Sequence, residues 1–329
     1  MRLSTLLLTG VGAVGLTGAG LAAYAGMVAR KVEAALPPQG KFLEVDGARL
    51  HYLDQGSGPT IVMIHGLGSQ MRSFTYALAG LLKDRFRVIT VDRPGSGYST
   101  RPPGASANLS SQARAFADFI HAMGLERPLL VGHSLGGALS LATALDHPEC
   151  VGGLALLSPA TQPQDAPPAA FKRIAIPSPW LRFLIAWTLA TPISIARSKE
   201  TLDIVFGPEA TPSDFGTRGG GLLSLRPRAF VAASTDMMAV NQDLPGMRSR
   251  YPTLKVPVGV LFGDGDRILD PAFHGAGLAR QIPGLELEYI EGGGHMIPLT
   301  QPQRCARFVE RIAARVAGGA ATTADASPV

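Results

Sequence analysis

Apolar and polar positions along this chain alternate in two rhythms. From residue 41 onward, short β-type runs are separated by stretches with helical period. Strands are predicted near 41–46 and 49–54, joined as a hairpin through Asp46-Gly47. Apolar runs at 60–65, 87–92, 127–131, 151–158 and 256–263 read as strands, and alternation at 285–290 reads as another. Helical spacing predicts helices over 71–82, 109–123 and 135–147. Strand and helix in turn imply a mostly parallel sheet with helices on both faces.

The segments outside this rhythm divide the chain. Leu3 to Ala29 holds no charged residue. At about 1.5 Å per residue such a helix reaches roughly 40 Å, enough for a hydrocarbon core of about 30 Å. Residues 1–31 therefore read as a single-pass membrane anchor. The alternative is a secretory signal cut near Ala25, which would leave a secreted or periplasmic protein. Residues 32–40 read as a linker, 41–160 and 253–316 as two parts of one core, 161–252 as an insertion, and 317–329 as a disordered tail of small residues.

Composition narrows the classes. The 329 residues are 46% hydrophobic and 17% charged, enough for one large core. Net charge is +5, yet there is no long basic run and no aromatic platform, which argues against nucleic acid. Arg304, Arg307, Arg311 and Arg315 recur at helical spacing and read as a solvated face opposite Phe308, Ile312 and Val316. Cys150 and Cys305 match no metal spacing and read as buried small hydrophobes. Gly219-Gly220-Gly221 lacks the Lys-Ser/Thr of a phosphate loop. No metal or organic cofactor is implied.

The chemistry centres on Gly132-His133-Ser134-Leu135-Gly136, placed between a strand and a helix. A serine on such a sharp turn is pushed out to attack a carbonyl, and the glycines allow close backbone approach. A serine nucleophile needs a base, and the base needs an orienting acid. Among the seven histidines, His295 follows a strand and a triple glycine. Among Asp264, Asp266 and Asp270, at the end of the preceding strand, Asp266 is the preferred acid, the other two fitting turn or cap roles. Oxyanion donors are expected at the backbone N–H groups of Leu67 and Leu135. His65, in the same early loop, fits a bracing role better than that of a second base.

These residues resemble the α/β-hydrolase superfamily over roughly residues 40 to 316. The resemblance rests on His65-Gly66-Leu67-Gly68, the Asp92-Arg93-Pro94-Gly95-Ser96-Gly97-Tyr98-Ser99 turn, the Ser134 elbow, Gly263-x-x-Asp266 and Gly294-His295. It implies a mostly parallel eight-stranded sheet flanked by helices, with a largely helical cap inserted after the sixth strand. It also implies the order nucleophile, acid, histidine as Ser134, Asp266, His295. Haloalkane dehalogenases and epoxide hydrolases of this superfamily carry aspartate where this chain has Ser134.

The expected activity is cleavage of a carboxylic ester with an apolar acyl group, as in esterases and lipases. The same triad also serves carbon–carbon hydrolases of ring-cleavage products and cofactor-free haloperoxidases, and some relatives are non-catalytic receptors. Within the insertion, Trp180, Phe183, Leu184 and Trp187 fall on one helical face. Trp180, Trp187, Met237 and Met238 are candidate pocket residues, with packing of the cap as the alternative.

Overall fold

The structure is a computed structural model. It describes residues 3–102 and 104–324, with the side chains of 3–15 and 319–324 outside that description. Eight strands form one sheet in the order β1-β2-β4-β3-β5-β6-β7-β8. These are β1 (Lys41–Val45), β2 (Ala48–Gln55), β3 (Thr60–Ile64), β4 (Arg87–Val91), β5 (Leu129–His133), β6 (Gly153–Leu157), β7 (Val258–Gly263) and β8 (Glu286–Ile290). The hairpin partners β1 and β2 are antiparallel, β2 meets β4 antiparallel, and every pairing from β4 to β8 is parallel.

The central strands are apolar throughout because both faces are covered. Alternate residues of one strand enter different cores. Val62, Ile64, Leu130 and Leu154 pack with the helices Leu109–Ala122 and Leu135–Asp146 on one face. Ile61, Met63, Val131 and Ala155 pack with the helix Pro302–Ala324 on the other. The arginine stripe of that last helix reaches β8: Arg311 bonds Glu286 at 2.5 Å and also pairs with Glu288, while Arg315 lies 3.3 Å from Glu286. Helix persists to Ala324, through part of the expected tail, and residues 325–329 lie outside the described residues.

The helix expected over 71–82 is two pieces, Arg72–Thr75 and Leu78–Leu82, parted at Ala77, whose φ of −152° leaves the helical range. Between β6 and β7 the insertion is largely helical, with segments Pro179–Ile185, Thr191–Ala196, Ser198–Phe206 and Pro227–Arg250.

The N-terminal segment departs from expectation. No helix among the described residues is long and apolar enough to cross a membrane, so the membrane anchor is not supported. Over the residues whose side chains are described, the helix mixes Gly and Ala with the charged Arg30, Lys31 and Glu33, which lowers its apolar character. This helix, Leu3–Ala35, continues into the expected linker.

The end of this helix packs on protein. Val32 and Leu36 are buried with Leu223 of the insertion, and Glu33 pairs with Arg226 at 3.2 Å. A Cβ at Gly26 would stand 3.8 Å from the Trp187 ring.

Candidate active site

The turn after β5 is built as its glycines suggest. Ser134 has φ +54° and ψ −119°, a left-handed conformation that a side chain other than glycine rarely adopts. The strain is held from several sides. Ser134 N–H donates to Leu157 O at 3.0 Å, and Ser134 O accepts from Gly137 N at 2.9 Å and Ala160 N at 3.0 Å. A Cβ at Gly136 would fall 2.0 Å from Ile64 O, so only glycine lets the helix start this close to β3.

Asp266 and His295 come together from the ends of β7 and β8. His295 Nδ1 and Asp266 Oδ2 are 2.7 Å apart, and both side chains are buried. The other carboxylate oxygen accepts from Ile268 N at 2.7 Å and Leu269 N at 3.0 Å. Burial works to raise the Asp266 pKa, but the His295 imidazole and these amides outweigh it and hold the carboxyl below its usual range. Asp264 and Asp270 do local work. Asp264 accepts from Gly292 N at 2.8 Å, and Asp270 accepts from Ala272 N at 2.8 Å, starting the next helical turn.

Two cavities meet at Ser134. A narrow one of about 50 Å³ is lined by Leu67, Leu135, Phe171, Met237, Val240 and Leu244. A wider one of about 200 Å³ is lined by Gln70, Phe215, Arg226, His295 and Met296. Of the cap candidates, Met237 lines the narrow cavity. Met238 is exposed and lines neither.

The tryptophans also lie elsewhere. Trp180 is 72% exposed and Trp187 faces the N-terminal helix. The inward face of their helix carries Arg182 instead. Its guanidinium donates to Ser234 Oγ at 2.9 Å, Thr235 Oγ1 at 2.8 Å and Ile176 O at 2.7 Å. These polar partners draw the arginine inward and leave the aromatic stripe outward.

A family profile described as the alpha/beta hydrolase family matches residues 61–308. The chain is an alpha/beta hydrolase. It is 29% identical over 293 residues to an uncharacterized protein of Mycobacterium tuberculosis, covering 86% of this chain and 83% of that one. Haloalkane dehalogenase 2 of the same species is 26% identical over 283 residues, 84% of this chain and 95% of the relative. Among solved structures, a membrane phospholipase A described as a bacterial virulence factor superposes with a TM-score of 0.68 at 26% identity. That match covers 95% of this chain and 97% of the other.

Three supports of this candidate site lie outside the expected triad, and only Glu209 falls outside every quoted motif. His133 sits beside Ser134, and its ring faces that of His295. Its ring centroid is 4.9 Å from that of His295, and its Nε2 donates to the His295 carbonyl at 2.9 Å. Glu209, in the insertion, holds the same loop: it accepts from Gly294 N at 2.8 Å, Thr300 Oγ1 at 2.7 Å and Gln301 Nε2 at 2.7 Å.

The third support is Arg93. It donates through Nε to His65 O at 3.0 Å and through Nη2 to Gly66 O at 3.1 Å, bracing the loop that carries Leu67. His65 itself accepts from Arg93 N at 3.0 Å and bonds Gly66 O at 2.8 Å. Burial, then the Arg93 charge, lowers its pKa to about 4, so it braces this loop as a neutral ring.

Proposed function

We propose that this alpha/beta hydrolase cleaves carboxylic esters with a compact apolar acyl group, through Ser134, His295 and Asp266. The observation that carries the reading is the position of Ser134. It sits on a strained turn where a narrow apolar cavity meets a cavity holding an aspartate-oriented histidine.

With Nδ1 engaged by Asp266, the other imidazole nitrogen, Nε2, is the basic one. It takes the Ser134 hydroxyl proton as Oγ bonds to the ester carbonyl carbon. The backbone N–H groups of Leu67 and Leu135 hold the oxyanion. The tetrahedral intermediate collapses, the carbon–oxygen bond to the alcohol breaks, and His295 returns the proton to the departing oxygen. Water repeats the sequence on the acyl-enzyme, releasing the acid and restoring Ser134.

The same logic orients the substrate. The leaving oxygen must reach His295, which lines the wider cavity. The acyl group is left to the narrow one, whose lining is mostly Leu, Ile, Phe, Val and Met side chains, with Gln162, Gln164, Asn241 and His274 among them. Serine, rather than the aspartate of dehalogenases, supports an acyl-enzyme over halide displacement. The phospholipase A likeness supports ester chemistry, since that protein's name denotes an ester hydrolase.

The test is fluorophosphonate labelling of the wild type and Ser134→Ala, then a p-nitrophenyl ester series of increasing chain length. Labelling confined to the wild type, with a preference for short chains, is expected. A folded wild-type protein that neither labels nor turns over esters would overturn the reading.

A further inference from the structure

At the far end of the nucleophile helix Leu135–Asp146, the fold gathers three side chains that no short motif links. Cys150 Sγ lies 3.2 Å from His121 Nε2, 29 residues away in sequence, and 3.5 Å from Glu149 Oε1. His121 comes from the last turn of the helix Leu109–Ala122, and Glu149 and Cys150 from the single turn Pro148–Cys150 that leads to β6. All three donor atoms fall within 4.8 Å of one another.

We propose that Cys150, His121 and Glu149 bind a zinc ion at this surface, apart from the hydrolytic site. Thiolate, imidazole and carboxylate together make a mixed sulfur, nitrogen and oxygen set. That set suits zinc and excludes magnesium and calcium, which take oxygen ligands. In a tetrahedral zinc site, a sulfur at about 2.3 Å and a nitrogen at about 2.0 Å stand roughly 3.5 Å apart. The sulfur–nitrogen separation of 3.2 Å and the sulfur–oxygen separation of 3.5 Å are within a few tenths of that edge, and the nitrogen and oxygen lie within 4.8 Å of each other, so a swing of the exposed His121 or Glu149 side chain closes the set.

Burial fits the role as well. Cys150 forms a buried floor, while His121 and Glu149 are exposed and leave a path from solvent. His147 Nδ1 lies 3.9 Å from Glu149 Oε1, close enough for its ring to swing in as the fourth ligand in place of water. Binding forms a sulfur–zinc bond and releases the thiol proton to solvent, with no change of oxidation state. The bound ion would cross-link the helix Leu109–Ala122 to the turn that enters β6.

The experiment is zinc titration of the full-length, chelator-treated protein against a coloured competing chelator, with the thiolate-to-metal absorption of the cobalt(II)-loaded protein as a second readout. One equivalent of zinc is expected to bind with proton release and to displace cobalt together with that absorption, while magnesium does neither. Cys150→Ser and His121→Ala should each weaken binding by more than about 100-fold, the upper range for losing even an outer partner of a metal site. His121 is exposed, so its replacement leaves the core intact. Zinc binding that is equal in the wild type and both variants, or cobalt absorption that survives in Cys150→Ser, would sink the proposal.

Discussion

Asp236 Oδ2 accepts a 2.7 Å hydrogen bond from Arg93 Nη1, and both side chains are fully sealed from solvent. The bond joins the long cap helix to the loop that carries Leu67, because the same guanidinium also holds the carbonyls of His65 and Gly66. Arg101 meets the other Asp236 oxygen at 2.5 Å, so one buried carboxylate serves two guanidinium groups. Asp236→Asn leaves both cations without their anion. Breaking a buried pair from one side costs about 3–5 kcal/mol, and a loop displaced by about 1 Å can lose up to roughly 100-fold in turnover. Urea unfolding and ester kinetics on the variant should show both losses. Unchanged kcat in a destabilised protein would mean that the cap and the Leu67 loop are not coupled.

Asp266→Asn separates orientation from packing. The asparagine oxygen can still accept from Ile268 and Leu269, so the loop should keep its shape. Its amide, however, would present a donor to His295 Nδ1 and favour the wrong imidazole tautomer. A kcat loss of about 10⁴-fold is expected with little change in unfolding midpoint. Near-normal turnover would disqualify Asp266 as the acid.

Glu209→Ala tests the cap's hold on the histidine loop. It removes the acceptor of the Gly294 amide, the Thr300 hydroxyl and the Gln301 amide together. Loss of such a charged acceptor, with donors left unpaired, costs about 1–3 kcal/mol or more. Turnover should fall while fluorophosphonate labelling slows without vanishing, since Ser134 itself is untouched. Wild-type labelling rates would show that the His295 loop holds its place without Glu209.

The candidate site residues are legible in the sequence, and their most distant supports are not, for one physical reason. Ser134, Asp266 and His295 each follow a strand, so local spacing announces them. Glu209 and Asp236 act across 85 and 143 residues of sequence, where no local pattern registers a partner. Helical period identified the Trp180–Trp187 face but not its direction, because Arg182 found polar partners inward. The parallel sheet was readable from its uninterrupted apolar strands. The uncharged run Leu3 to Ala29 suggests an anchor, but the same helix continues through Arg30, Lys31 and Glu33 and its end packs on the insertion, which no local pattern announces.

Met237 and Met238 are equivalent in sequence but not in space. Met237 lines the narrow cavity, whereas Met238 is exposed. Met237→Ala should move the preferred acyl chain to longer esters, and Met238→Ala should leave the chain-length profile as it was. Equal profiles for both variants would place the acyl group in the wider cavity instead.

Three buried histidines give the fold a definite acid limit. Burial and then Arg93 lower His65 to about 4, burial and then the neighbouring His295 lower His133 to about 3, and burial lowers His274 to about 4. The ordinary value is 6.5, so below that pH the unfolded chain binds protons that the folded one refuses. Stability contributed by the neutral rings is therefore complete above pH 6.5 and declines as pH falls toward the folded-state values. Each proton taken up on unfolding corresponds to about 1.4 kcal/mol per pH unit. Asp266, held below its usual range, adds a loss of the same sign at more acid pH. Urea midpoints measured at pH 7.5 and pH 5 should differ clearly, the lower pH being the less stable. A midpoint that stays constant across that interval would mean that these rings are protonated in the folded protein, and with that the tautomers assigned to the Leu67 and His295 loops would have to be abandoned.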